Sequence, residues 1–125
     1  MHEALLVYRD LMLPLLINGF QAIVAGGAVA DLLYGYSLEQ IDDVDMFVLV
    51  DDPGDRRTVG IVEDIINGYP FELVEPLSVS SYHDSARALV KAPSLLGDTP
   101  VEIILCDREC YGSPQGRVSV FDLSV

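Results

Sequence analysis

Residues 23–50, IVAGGAVADLLYGYSLEQIDDVDMFVLV, constrain the fold more than any other part of the chain. Ile23 to Ala25 are apolar and β-prone, and Gly26-Gly27 breaks the run. Two successive glycines let a backbone turn sharply and bring its N–H groups close to a ligand. Ala28 to Leu33 favours helix, and the N-terminus of a helix after such a turn attracts anions. Gly35 is placed to end that helix. Asp43-Val44-Asp45 then leads into Met46 to Val50, an apolar run typical of a buried strand. The stretch therefore reads as strand, glycine turn, short helix, polar loop and second strand.

The spacing of the two aspartates carries chemistry. Residues i and i+2 of a strand point to one face, so Asp43 and Asp45 project together while Val44 points into the core. Two converging carboxylates repel unless a proton or cation lies between them. Oxygen ligands suit Mg²⁺, which is commonly held by one or two carboxylates plus substrate phosphates. A phosphate cradle at Gly26-Gly27 beside a carboxylate clamp at Asp43 and Asp45 suits in-line displacement at phosphorus. Strand direction decides whether the two meet. Antiparallel strands bring Gly26-Gly27 and Asp43-Asp45 to one edge of the sheet; parallel strands, as in a dinucleotide-binding fold, bring Asp51-Asp52 there instead. The dinucleotide fingerprint needs a third spaced glycine where this chain has Ala30, which ranks that alternative lower.

GGAVADLLYG followed by DVDMFVL resembles the nucleotidyltransferase superfamily, closest to its CCA-adding and poly(A) polymerase-type members, and Phe121 to Val125 resembles the segment after the last active-site strand in its small phage-type members. Gly26, Gly27, Val29, Asp31, Leu33, Gly35, Asp43 and Asp45 fall on the pattern Gly-Gly-x-Val-Arg-Asp, Leu-Leu-Gly, Asp-x-Asp. Ala30 replaces the usual arginine, and the loop from Tyr36 to Asp42 is longer than in these relatives. The resemblance implies a minimal nucleotidyltransferase fold: one α+β domain over residues 1–125, with a mixed β-sheet flanked by helices. It implies Mg²⁺ or Mn²⁺ at Asp43, Asp45 and a third carboxylate, and a nucleoside triphosphate whose phosphates lie at Gly26, Gly27 and Asp31. The reaction would transfer a nucleoside monophosphate to a hydroxyl on an RNA end, a protein or a small molecule. Relatives continue with helices where this chain stops, which leaves a chain truncated at its C-terminus, a minimal member, or a subunit completed by a protein partner. A non-catalytic member of the fold that binds nucleotide or a protein is the rival from another class.

Glu102 matches the third carboxylate. In Pro100 to Leu105, Val101, Ile103 and Leu105 face one way while Glu102 and Ile104 face the other. A lone acid in an apolar strand needs a partner or water. As a site residue Glu102 would bind the metal or act as base toward the hydroxyl; otherwise it lies in water on an edge strand, and Glu72 competes for the role. Arg87 and Lys91 share one face of another alternating run, where they either meet the triphosphate or balance nearby acids.

Charge narrows the partners. The net charge is −13, with twenty acidic residues against seven basic ones, and Glu39 to Asp55 holds seven acids and no Lys or Arg. A nucleic-acid footprint needs a basic stripe, so a protein or small-molecule acceptor, or RNA reached with a partner's help, fits better than unaided RNA binding. Half the residues are hydrophobic, which excludes general disorder. No apolar run reaches the ~20 residues of a membrane span, and Arg9 and Asp10 interrupt the first apolar segment, so a cytoplasmic protein without membrane attachment is expected. Cys106 and Cys110, with only His2 and His83 as imidazoles, read as ordinary thiols rather than a zinc site.

The remaining elements follow from periodicity and breakers. His2 to Asn18 reads as a helix with a stripe of Leu5, Leu6, Met12, Leu13, Leu16 and Ile17, kinked or broken near Leu13 by Pro14. Asp51 to Asp55 is a turn, and Asp55 caps a helix from Arg56 to Asn67 that buries Val59, Val62, Ile65 and Ile66. Phe71 to Glu75 reads as a strand and Ser78 to Ser85, with His83, as a loop over the site. Arg87 to Lys91 and Pro100 to Leu105 are strands, Asp107 to Gln115 a loop, and Gly116 to Val125 a last strand.

Overall fold

A computed structural model describes residues 3–25, 34–35, 37, 40–80, 85–107 and 122–124. In chain order these form α1 (Glu3–Leu16), β1 (Gln21–Ala25), β2 (Val44–Val50), α2 (Arg56–Ile66), β3 (Glu72–Ser80), β4 (Ser85–Lys91), α3 (Pro93–Leu96), β5 (Pro100–Asp107) and β6 (Asp122–Ser124). The fold is α+β. Five strands form a mixed sheet in the order β3-β4-β5-β2-β1, and the three-residue β6 extends it beyond β1. β2 and β5 run parallel; every other neighbouring pair is antiparallel.

The central strands sort their side chains by alternation. Val44, Met46, Val48 and Val50 of β2, Val101, Ile103 and Leu105 of β5, and Ala86, Ala88 and Val90 of β4 are buried on one face. All three described helices pack there: Tyr8, Leu11, Met12 and Leu15 of α1 and Val62 and Ile66 of α2 join the same core, with Leu95 and Leu96 of α3 against it. Flanking by helices is thus one-sided among the described residues. The opposite face holds a smaller cluster of Ile23, Leu49 and Cys106, with Phe47 against it.

α1 departs from its expected form in two ways. It runs unbroken through Pro14, although proline removes one helical hydrogen bond. Pro14 lies in the last turn, where Asn18 Nδ2 donates to the Pro14 carbonyl at 2.6 Å. Phe20 N–H to Leu15 O and Gly19 N–H to Leu16 O, with Gly19 at φ 88°, close the helix as a Schellman motif. Its buried stripe is Tyr8, Leu11, Met12 and Leu15, while Leu6, Leu13 and Ile17, expected inside, are exposed. Both sets follow helical spacing, and periodicity alone could not choose between them.

Other boundaries hold or shift for identifiable reasons. Asp52 Oδ1 accepts from Gly54 N–H at 2.9 Å, folding the acidic turn. Asp55 caps α2 through Thr58, whose Oγ1 donates to Oδ2 at 2.8 Å. β3 continues to Ser80 through residues expected to loop. It is an edge strand, so Pro76 leaves no ladder partner behind, and register shifts between Leu73 and Ser78 absorb the irregularity. Asp107 ends β5 rather than opening a loop. Of the expected last strand, Asp122–Ser124 is described. The helix expected at Ala28 to Leu33, His83 and Cys110 lie outside the described residues.

Candidate functional site

β1 and β2 are antiparallel, with Ala25 paired to Asp45. The last residue before Gly26 in the chain therefore sits beside the second aspartate, which is the arrangement the glycine-and-aspartate reading requires. Gly26, Gly27 and Asp31 themselves lie outside the described residues. On the other side, the parallel register pairs Asp45 with Glu102 of β5. One row across the sheet thus reads Leu89, Glu102, Asp45, Ala25, with Asp122 at the register position next to Ala25.

The local sequence explains how the acids are held. Ile41 and Val44 are buried on either side of the exposed Asp42 and Asp43. Ahead of them, Gln40 Oε1 accepts from the Ser37 N–H at 2.8 Å and Gln40 N–H donates to the Ser37 carbonyl, a turn that delivers the chain into β2. Asp43 stands just before β2 and Asp45 within it, half-buried on the face away from the helices, since Val44 and Met46 take the core side.

The electrostatics of Asp45 follow. Its carboxyl is pushed above the usual aspartate range, first by burial, then by the charges of Glu102 and Asp43, with Arg87 opposing. Adjacent like charges across neighbouring strands cost free energy, and here they also mark a place of concentrated negative potential. Arg87 relieves part of it. It pairs in register with Ile104, one step diagonal from Glu102, and Arg87 Nη1 donates to Glu102 Oε1 at 2.8 Å. The pair is partly solvated, with the side chains 49% and 37% exposed. Arg87 thus balances an acid, one of the two roles open to it in the sequence. Glu102 lies on a central strand rather than an edge. Lys91 is registered with Pro100 and Glu72 at the end of the sheet where β2 begins, and it makes no ion pair among the described residues. Glu72 lies on the edge strand β3, three positions from β2, and is separated from the aspartates.

The site therefore gathers Asp43, Asp45, Glu102 and Arg87 and leaves Glu72 apart. Asp43, Asp45 and substrate oxygens fit the needs of Mg²⁺, although no three His, Cys, Asp or Glu side chains among the described residues converge closely enough to hold an ion by themselves. The Arg87–Glu102 pairing was not specified by the sequence, because it depends on which strands become neighbours. No described helix is long and apolar enough to cross a membrane. No known protein family, curated protein or solved structure matches the chain.

Proposed function

We propose that the protein is a metal-dependent nucleotidyltransferase that moves a nucleoside monophosphate from a nucleoside triphosphate to a hydroxyl acceptor. The observation that carries this reading is the pairing of Ala25 with Asp45, with Glu102 registered on Asp45's other side. It joins the segment that precedes Gly26 in the chain to Asp45 and Glu102 on one sheet row. Asp43 and Asp45 would hold Mg²⁺ or Mn²⁺ together with substrate phosphates. Bound there, the ion would neutralise charge at the phosphorus under attack. Gly26 and Gly27 would offer backbone N–H groups to the phosphates, with Asp31 beside them. Glu102 would accept the proton of the incoming hydroxyl as its oxygen bonds to the α-phosphorus and pyrophosphate departs. Arg87, now on Glu102, and Lys91 would meet the triphosphate.

The direct test is incubation with each of four labelled triphosphates, Mg²⁺ or Mn²⁺, and a cell extract, which reports base, metal and acceptor together. Transfer by the wild type and none by Asp45→Asn is the expected result; equal transfer by both removes the assignment. A non-catalytic nucleotide- or protein-binding role is the second reading, favoured by the Arg87–Glu102 ion pair and by the lack of a three-acid metal cluster among the described residues. Mg²⁺ that raises the melting temperature of the wild type but not of Asp45→Asn supports the enzyme. Nucleotide binding indifferent to Mg²⁺ supports the binder.

A further inference from the structure

We propose that the outward side of α1, with the groove beside it, docks a helical segment of another protein that presents apolar anchors flanked by lysine or arginine. The inference is independent of the catalytic reading, because it concerns the helix side of the sheet. α1 is apolar on two opposite faces. Tyr8, Leu11, Met12 and Leu15 enter the core. At the spacing of the reverse face, Leu6, Leu13 and Ile17 are exposed by 37%, 38% and 78%. Arg9 and Asp10 interrupt the apolar surface of the helix, but its second apolar stripe is left uncovered by its own chain.

The uncovered side adjoins a groove of about 370 Å³. Leu13 and Pro14 of α1 and Ile17 just after it form one wall; Tyr69, Pro70 and Leu95 form the other. Tyr69, in the turn between α2 and β3, is 83% exposed. From Leu6 to Ile17 the stripe runs about 16 Å at helical rise. That length exceeds what a small molecule filling the groove would cover and matches three turns of a partner helix laid alongside.

Charge selects the partner. Asp10 lines the groove, whereas the exposed Arg9 beside it in the chain does not, and the Asp10 carboxylate makes no hydrogen bond or ion pair among the described residues. The chain carries −13, so a second copy would bring a second Asp10 and strong repulsion, and nucleic acid or an anionic bilayer would be repelled as well. A lysine or arginine meets Asp10 favourably at an apolar rim, and the exposed Tyr69 ring offers the same cation a π-face.

The test uses the full chain and a synthetic helical peptide with leucines on one face flanked by lysines, beside a matched peptide with glutamates for the lysines. Binding is followed by NMR of the backbone amides and methyl groups. The lysine peptide is expected to shift Leu13, Ile17, Tyr69 and Leu95 selectively. Asp10→Asn should weaken it about fivefold and Ile17→Ser about tenfold or more; Ile17 is exposed and Asp10 half-buried, and neither belongs to the core, so the fold survives. Asp64→Asn, an exposed acid on α2, should leave binding unchanged. Equal binding of the glutamate peptide, equal weakening by Asp64→Asn and Asp10→Asn, or no localised shifts at millimolar peptide overturns the proposal. So does concentration-dependent dimerisation that Ile17→Ser abolishes, which would make a second copy the occupant.

Discussion

The two faces of the sheet obey different rules. On the helix-covered face, β2, β4 and β5 from Val101 to Leu105 contribute apolar side chains, and each is buried; Asp107, at the end of β5, is the half-buried exception. On the other face β2 and β5 carry Asp45 and Glu102 near their starts and turn apolar further along at Phe47, Leu49, Ile104 and Cys106, while β4 places Arg87 and Lys91 on either side of Leu89. The first face is what folding requires. The second keeps half-buried carboxylates next to each other, which opposes folding and therefore invites a functional explanation.

The largest expected effect tests the first face. Ile103→Ala, a fully buried truncation in a central strand, should cost about 2–5 kcal/mol in urea unfolding. A loss comparable to a surface change would erase the contrast between the faces. On the second face Asp45→Asn should act with the opposite sign and more weakly. The folded-state pKa of Asp45 is raised, so its contribution to stability is fully present below the ordinary aspartate range and is lost as pH climbs through the raised value. Asp45→Asn should therefore be the more stable protein at neutral pH, with the gap closing in acid; a constant gap across pH would mean that burial and neighbouring charge do not act on this carboxyl.

A smaller effect belongs to the Arg87–Glu102 pair. Partly exposed ion pairs contribute about 0.2–1 kcal/mol, and Glu102→Gln also lifts a repulsive charge from Asp45. Glu102→Gln and Asp45→Asn should be non-additive in a double-mutant cycle; strict additivity would uncouple the row. The smallest effect lies away from both faces. Asp55, fully exposed, is held below the usual aspartate range first by the Thr58 hydroxyl. Its contribution is present above the ordinary range and lost as pH falls through the depressed value. Asp55→Asn keeps a capping side chain and should flatten that acid-side loss alone, seen in thermal melts at successive pH values.

Much of this was legible beforehand where a single local rule decided the outcome. Alternation in Pro100 to Leu105 separated Glu102 from Val101, Ile103 and Leu105, and the Asp55 cap and Asn67 stop bounded α2. Expectation failed where two rules competed. α1 carries two apolar stripes of equal periodicity, and only packing selected Tyr8, Leu11, Met12 and Leu15. The polar run from Ser78 suggested a loop, but β3 continues through Ser80 as an edge strand.

The amino-acid order by itself indicated α1, α2 and the strands β1, β2, β4 and β5, though not α3 or the far half of β3, and it placed acids at the start of β2 and within β5. Those are local properties, set by backbone preference and side-chain period. The tertiary structure alone decided that β1 opposes β2, that β5 runs beside β2 in register, and that Arg87 reaches Glu102. Neighbours across a sheet are chosen by the joint burial of distant segments, a quantity no short window of sequence contains.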